Sequence, residues 1–135
     1  MQRTLILIKP DGVERKLLGE IINFYEKKDL NIIALKMVKA SKEIAEKHYE
    51  EHKGRPYFES LIKYITEDKL CAMVLEGDEA IEIVRRINGD KDPLKSDMGS
   101  IRGKFACSKT RNLVHASDCI ESAKREIGIW FPNLM

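Results

Sequence analysis

The sequence has few cysteines, and their number and spacing exclude two classes of small protein. Its 135 residues contain only three, Cys71, Cys107 and Cys119. An odd number cannot all pair, and no two of them have the close spacing of zinc ligands. This argues against a disulfide scaffold and against a cysteine-rich zinc site. We interpret the thiols as buried or incidental.

Neither sign of charge is in large excess, and long apolar runs are missing. Lysine and arginine number 24 against 22 acidic residues, for a formal net charge of +2. A nucleic-acid partner is therefore not required by composition, and a basic site must come from local clustering. No apolar run approaches the roughly 18 residues of a transmembrane helix, and the start has too short an apolar core for a signal peptide. We expect one cytoplasmic domain over residues 1–135.

Apolar periodicity alternates between strand-like and helix-like segments. Short apolar runs predict strands at Thr4–Ile8, Asn31–Val38, Leu70–Leu75 and Leu113–Val114. Stripes of helical period follow Leu18, Ser41, Pro56, Asp78 and Ser117. Grouped as βαββαβ, this order predicts a ferredoxin-like α+β sandwich, in which helices pack on one face of a four-stranded antiparallel sheet.

The last third of the chain contains the longest segment without apolar periodicity. Residues 88–111 are rich in glycine and charge, which predicts a long ordered loop of the kind that is usually functional. Ser117 or Asp118 can cap the helix that follows the last strand. Gly128 is expected to end that helix.

Two familiar motifs are approached but not matched. His48 and His52 are four residues apart in HYEEH, but zinc proteases need glutamate directly after the first histidine, where this chain has Tyr49. GSIRGKF is one residue short of a phosphate-binding loop and lacks serine or threonine after Lys104. No G-x-G-x-x-G occurs. A conventional P-loop or Rossmann nucleotide site is therefore excluded.

His115 lies between a predicted strand and a predicted helix start, in a segment rich in cations such as Arg102. Arginine forks and a helix N-terminus both suit a phosphate group. A neutral imidazole has a free ring nitrogen that can accept a phosphoryl group, and Glu126, Ser117 or Asp118 could orient the ring. The residues predict an anion site with a reactive histidine. They leave open whether it is a nucleophile, a general base or a packed structural residue.

Four segments along the chain carry a family resemblance: TLILIKPDGV, HYEEHKGRPYF, GSIRGKF and RNLVHASDCIESAKREIGIWF. Together they resemble the nucleoside diphosphate kinases. The family signature Asn-x-x-His-x-Ser-Asp is matched by Asn112, His115, Ser117 and Asp118. The resemblance implies that the chain transfers the terminal phosphoryl group of a nucleoside triphosphate such as ATP to a nucleoside diphosphate. It also implies a ping-pong path through a phosphohistidine, with Mg²⁺ as the cofactor.

The resemblance implies a catalytic role for five residues. His115 matches the nucleophile, Glu126 the carboxylate that holds its ring, and Ser117 the serine that supports that carboxylate. Tyr49 matches a tyrosine near the histidine. Lys9 matches the lysine that reaches the phosphates and the sugar. On this resemblance, His115 is the nucleophile and not a general base.

The implied nucleotide contacts depart from the family pattern at some positions. Asn112 matches the residue that binds the sugar hydroxyl, while Arg85 and Arg102 match phosphate-binding arginines. Lys91 replaces the usual phosphate-binding threonine, and Tyr57 replaces the base-stacking phenylalanine that is common. An aromatic ring at that position is expected to keep the stacking.

The resemblance also bears on partners and metals. Lys109 replaces an apolar residue on the second face of the base. Relatives form hexamers or tetramers, so a homo-oligomer is expected, with Mg²⁺ held mainly by the nucleotide phosphates and no metal ligand from the protein. Neither a membrane nor a nucleic acid is predicted as a partner. The alternatives are a non-catalytic ferredoxin-like module that binds nucleotide or RNA, and a metal-dependent hydrolase that uses His48 and His52.

Overall fold

The structure is a computed structural model that describes residues 1–134, so the last residue of the predicted domain, Met135, lies outside the described residues. No helix within residues 1–134 combines the length and the apolar character needed to cross a membrane. The elements are β1 (Gln2–Ile8), α1 (Pro10–Glu14), α2 (Leu18–Glu26), β2 (Asn31–Val38), α3 (Lys42–His48), a 3₁₀ turn (Glu50–His52), α4 (Phe58–Thr66), β3 (Leu70–Gly77), α5 (Ala80–Asn88), α6 (Ile101–Phe105), β4 (Val114–Ala116) and α7 (Ile120–Trp130).

The four strands form one sheet in the order β2-β3-β1-β4, and every neighbouring pair is antiparallel. The predicted ferredoxin-like α+β fold is confirmed. The register between β1 and β4 places His115 opposite Leu7 and Val114 opposite Ile8. Lys9, the residue after β1, continues alongside by donating its backbone N–H to the Leu113 carbonyl at 2.8 Å. The sheet therefore brings Lys9 and His115 to the same edge.

The central strand β1 is buried on both faces. Leu5 and Leu7 pack in a core cluster with residues of α3, α4 and α7, whereas Ile6 and Ile8 pack in a second cluster with residues of α2, α5 and α6. The prediction that helices cover one face is therefore wrong. The reason is that β1 and β3 are apolar at consecutive positions, so both of their faces must be removed from water.

The segment 88–111 is only partly a loop. It contains α6, whose N-cap Ser100 accepts a hydrogen bond from the Gly103 N–H through its hydroxyl at 3.0 Å. A helix of five residues is too short to show an apolar stripe, so periodicity could not predict it. This helix contributes Arg102, whose guanidinium lies against the Val114 carbonyl in β4.

The cap of α7 is Cys119, not Ser117 or Asp118 as predicted. The Cys119 sulfur accepts the Ser122 N–H at 3.4 Å. Ser117 is not available as a cap because its hydroxyl is used elsewhere, accepting from the Leu5 N–H and donating to Glu126. Gly128 does not end the helix either, which continues to Trp130 because that indole is buried in the core.

Candidate active site

His115 is held at one ring nitrogen by a buried carboxylate. Its Nε2 lies 2.9 Å from Oε1 of Glu126, which is 5% exposed. The Ser117 hydroxyl donates to the same oxygen at 2.7 Å, and the second oxygen lies 3.7 Å from Nη2 of Arg125. Because a carboxylate only accepts, we assign the proton of the neutral ring to Nε2. The lone pair of Nδ1 is then free.

Lys9 and Asn112 form a second group at the same edge of the sheet. The buried Lys9 donates from Nζ to Oδ1 of Asn112 at 3.0 Å. Asn112 in turn donates from Nδ2 to the carbonyl of Lys109 at 2.9 Å and to that of Lys91 at 3.5 Å. The amide of Asn112 therefore fixes both Lys9 and the backbone of the preceding loop. Both Lys91 and Lys109 are themselves exposed.

Arg102 connects three segments of the site through its guanidinium group. Nη2 donates to the Val114 carbonyl at 2.6 Å, Nη1 to the Gly89 carbonyl at 2.8 Å, and Nε to the Asn112 carbonyl at 3.3 Å. Burial lowers the pKa of Arg102, and the charge of Arg85 adds to this effect. Arg85 is exposed on α5, and its positive charge lies close enough to Arg102 to affect the pKa of that residue. The two arginines form one electropositive region.

A row of aromatic side chains leads from the surface to His115. The outermost ring is Tyr57, which is 46% exposed and whose hydroxyl lies 2.8 Å from Nδ1 of His52. Successive ring centroids are separated by 5.5 Å for Tyr57 and His52, 6.1 Å for His52 and Tyr49, 4.7 Å for Tyr49 and His48, and 4.5 Å for His48 and His115. Burial raises the pKa of Tyr49, so its hydroxyl stays protonated.

Sequence reasoning missed four residues that surround the predicted ones. His48, considered only as a zinc ligand with His52, lies against His115, and Trp130 donates to its Nδ1 at 3.1 Å. Asp11 and Tyr64 lie beneath Lys9: the Tyr64 hydroxyl donates to Asp11, and Nζ of Lys9 is 5.4 Å from the Tyr64 ring. The KPDG turn was the available signal for Asp11, because an acid two residues from a buried lysine is a candidate partner.

Three side chains within residues 1–134 approach the arrangement of a metal site. Donor atoms of His48, His115 and Glu126 lie within 4.8 Å of one another. The indole of Trp130 can only donate, so Nδ1 of His48 must accept and the proton of neutral His48 lies on Nε2. That ring has no free lone pair, and Glu126 is engaged by His115 and Ser117. A resident metal ion does not fit this cluster.

Comparison with known proteins finds relatives over nearly the whole chain. A sequence model of the family described as nucleoside diphosphate kinase matches residues 2–134. A nucleoside diphosphate kinase of Saccharolobus islandicus is 52% identical over 131 residues, 97% of this chain and 95% of the relative. One from Clostridium perfringens is 52% identical over 134 residues, 99% of this chain and 94% of the relative. The chain belongs to the nucleoside diphosphate kinase family.

Solved structures of family members superimpose closely on this fold. The apo nucleoside diphosphate kinase of Encephalitozoon cuniculi has a TM-score of 0.95 at 37% identity, covering 97% of this chain and 89% of that one. A nucleoside diphosphate kinase family protein of Babesia bovis has a TM-score of 0.95 at 44% identity, with 97% and 88% covered. Sequence and fold therefore both assign the chain to the nucleoside diphosphate kinases.

The two lysines that depart from the nucleoside diphosphate kinase pattern have different surroundings. Lys109 directs Nζ to Asp92 at 3.6 Å, and it binds Asn112 through its carbonyl. The contact to Asn112 therefore does not depend on the side chain at position 109. Lys91 adds a positive charge close enough to Lys9 to contribute to lowering its pKa, after the larger effects of burial and Arg102.

Proposed function

We propose that the chain transfers the γ-phosphoryl group of a nucleoside triphosphate to a nucleoside diphosphate through a phosphohistidine at His115. The observation that carries the proposal is the bond from Nε2 of His115 to Glu126, which leaves Nδ1 as the free nitrogen. Ser117 supports the carboxylate from a buried position. A ring fixed at one nitrogen and unprotonated at the other is prepared for nucleophilic attack.

The reaction proceeds in two half-reactions that are the reverse of each other. Nδ1 of His115 attacks the γ-phosphorus, the bond from that phosphorus to the bridging β-phosphate oxygen breaks, and the first nucleoside diphosphate leaves. The terminal phosphate oxygen of a second nucleoside diphosphate then attacks the same phosphorus and releases Nδ1. Throughout, the proton on Nε2 stays directed at Glu126, which stabilises the positive charge that develops on the ring.

The cations beside His115 suit the charge of the substrate. Phosphoryl transfer depends mainly on positioning and on neutralising phosphate oxygens. We assign phosphate contacts to Lys9, Arg85, Arg102 and Lys91, of which Arg102 keeps part of its guanidinium beyond its three carbonyl bonds. Mg²⁺ enters with the nucleotide as part of the substrate, because the one buried carboxylate at the histidine is already engaged.

The nucleoside would lie along the outer side of the site. The ring of Tyr57 is exposed and anchored by His52, so it offers a face on which a base can stack. We assign the sugar hydroxyl to Asn112, whose Oδ1 already accepts from Lys9. Tyr49 lies in the row of rings between Tyr57 and His115 and stays neutral. Stacking does not read the hydrogen-bonding pattern of a base, so we expect broad base selectivity.

The exposed edge of the sheet bears on the assembly of the chain, and its thiols bear on the compartment. The edge strand β2 exposes Ile32, Leu35 and Met37, and an exposed apolar edge strand favours association. We therefore propose a homo-oligomer, a hexamer or a tetramer, which light scattering after size exclusion distinguishes by mass. Three free thiols suit a reducing compartment, and we propose the cytoplasm.

Steady-state kinetics test the proposed function. Initial rates with ATP and a second nucleoside diphosphate, measured with Mg²⁺ over a grid of both concentrations, should give parallel double-reciprocal lines. Parallel lines report a modified enzyme that forms before the second substrate binds. Intersecting lines would contradict the phosphohistidine path, and absence of turnover would favour a non-catalytic binding module.

Ser117→Ala should lower both the rate and the stability. The substitution removes the hydrogen bond to Glu126 and leaves the Leu5 N–H without its side-chain acceptor. We expect kcat to fall by about 10- to 100-fold through misplacement of His115, with a loss of about 1–3 kcal/mol in the free energy of unfolding. Ser60→Ala, at an exposed position on α4, is the matched control and should change neither. Wild-type kcat in Ser117→Ala would refute the supporting role.

Nucleotide binding should take up a proton at Lys9. Burial lowers the pKa of Lys9 from its usual 10.5 to about 7, with Arg102 as the next cause. At pH 8 the ammonium is then mostly deprotonated in the empty protein, and phosphate oxygens beside it would raise its pKa again. Binding at pH 8 should therefore absorb close to one proton, and apparent affinity should weaken as pH rises above 7.

Calorimetry of nucleotide binding measures this proton directly. Titrations at pH 8 in two buffers should give binding enthalpies that differ by nearly the full difference between the ionisation enthalpies of the two buffers. Lys9→Gln keeps a hydrogen-bond donor for Asn112 but cannot titrate, so its binding heat should not depend on the buffer. Equal heats in both buffers for the wild type would contradict the assignment.

A further inference from the structure

His48 is a buried residue that contacts the reactive histidine but takes no part in the bond-making and bond-breaking steps proposed above for His115. It is the last residue of α3 and is 3% exposed. Its ring lies edge-to-face against that of His115, with centroids 4.5 Å apart and planes at 77°. It also packs against Tyr49 on one side and Trp130 on another. His48 is therefore a wall of the pocket that holds His115.

The position of the proton on His48 follows from its hydrogen bond. Trp130 donates from Nε1 to Nδ1 of His48 at 3.1 Å, and an indole nitrogen cannot accept. A proton on Nδ1 would place two N–H groups head to head, so the bond excludes both the charged ring and the Nδ1–H tautomer. The pKa of His48 lies well below its usual value, mainly because of burial and then because of the nearby His115. His48 is neutral with its proton on Nε2.

A fixed neutral wall matters because His115 is otherwise held at a single atom. Glu126 binds Nε2 of His115, while the side chain is 21% exposed. One hydrogen bond does not prevent the ring from tilting, and attack on phosphorus depends on its angle. A charged His48 would also put a positive charge beside the ring on which positive charge develops during attack. The bond from Trp130 prevents this by keeping His48 neutral.

We propose that His48 is a positioning residue for phosphoryl transfer, in which Trp130 fixes the Nε2–H tautomer and the ring of His48 sets the angle of His115 on Glu126. This inference rests on the proposed function, because it concerns the same nucleophile. It assigns no contact between His48 and the nucleotide. Loss of His48 should therefore slow the chemical step and leave nucleotide binding nearly unchanged.

Nitrogen NMR on the uniformly labelled wild-type protein tests the proton assignment without any substitution. Two-bond correlations should show His48 as a neutral ring with the proton on Nε2. In Trp130→Phe, which removes the donor and keeps an aromatic ring, the Nδ1–H tautomer should become populated. A proton on Nδ1 in the wild type, or an unchanged tautomer in Trp130→Phe, would refute the proposal that Trp130 fixes the tautomer of His48.

Single-turnover kinetics with γ-labelled ATP and Mg²⁺ test the positioning role. We expect His48→Ala to slow labelling of the protein by about 10- to 100-fold, with less than about threefold change in KM. His48→Phe restores the wall and should recover most of the rate. Ile65→Val, in the same core cluster as Trp130, is the matched control: it lowers thermal stability without slowing labelling.

The possible results separate this inference from the proposed function. A wild-type protein that never labels refutes the proposed function and, with it, the positioning role. A wild-type protein that labels, together with a His48→Ala variant that labels equally fast, refutes only the positioning role. A His48→Ala variant that slows only in proportion to lost folded protein, as judged against Ile65→Val, also refutes it. If His48→Ala does not fold, the tautomer of the wild type still tests the proton assignment, and Trp130→Phe tests the positioning role: slower labelling supports it, and labelling at the wild-type rate refutes it.

Discussion

His115→Ala should abolish phosphoryl transfer while leaving the fold intact. The substitution removes Nδ1, the one nitrogen of the ring that is not engaged by Glu126. When an enzyme loses its nucleophile, the remaining groups bind and polarise the substrate but cannot form the intermediate. We expect kcat to fall by about 10⁴-fold or more. The fold should persist because Glu126 keeps its contacts to Ser117 and Arg125.

A second variant separates loss of the nucleophile from loss of packing. His115→Gln can present an amide N–H to Glu126, but an amide nitrogen is not a nucleophile. It should therefore be as inactive as His115→Ala and closer to the wild type in thermal stability. Coupled turnover assays and thermal unfolding of both variants make the comparison. Activity in His115→Gln above about one hundredth of the wild-type rate would show that His115 does not carry the phosphoryl group.

Arg102→Ala should be among the most destabilising single substitutions in the chain. The guanidinium satisfies the carbonyls of Gly89, Asn112 and Val114, which belong to the loop after α5, the segment before β4, and β4 itself. Its removal takes a donor from all three carbonyls, but that of Asn112 still accepts the Val114 N–H at 2.9 Å. The carbonyls of Gly89 and Val114 then each cost about 1–3 kcal/mol if they stay buried and unsatisfied, so we expect a loss of at least about 2 kcal/mol in the free energy of unfolding, in addition to weaker nucleotide binding.

Urea unfolding of Arg102→Ala measures this loss, with Arg86→Ala as the matched control. Arg86 is exposed on α5, so its replacement should change stability by less than about 0.5 kcal/mol. Arg102→Lys offers a single nitrogen for three diverging carbonyls and should recover only part of the stability. A midpoint for Arg102→Ala equal to that of Arg86→Ala would mean that the loop is held in place by other contacts.

The sheet was predictable because its strands are unusually apolar. β2 was predicted with its observed bounds, Asn31–Val38, and the runs that predict β1 and β3 fall within those strands. The short helices α1 and α6 were not predicted, since five residues do not complete an apolar stripe. The ferredoxin-like grouping was wrong only in placing helices on one face, because the consecutive apolar residues of β1 require cover on both faces.

The candidate site was predictable where its residues are close in sequence. Glu126 follows His115 by 11 positions, and a strand leading into a capped helix makes their contact reasonable. The contact of His48 with Trp130 spans 82 positions and arises only when α3 packs against α7. No spacing in one sequence indicates such a contact. The environment of Lys9 is equally non-local, because Arg102 on α6 and Asn112 just before β4 are both more than 90 positions away in the sequence.

One measurement tests the central claim most directly: the position of phosphate on the protein after reaction with ATP. Incubation of the wild type with γ-labelled ATP and Mg²⁺, without an acceptor, should give one acid-labile, base-stable phosphate per chain. Phosphorus NMR and mass spectrometry should locate it on Nδ1 of His115, and a nucleoside diphosphate should discharge it. Absence of the label, or a label that persists in His115→Gln, would contradict the account.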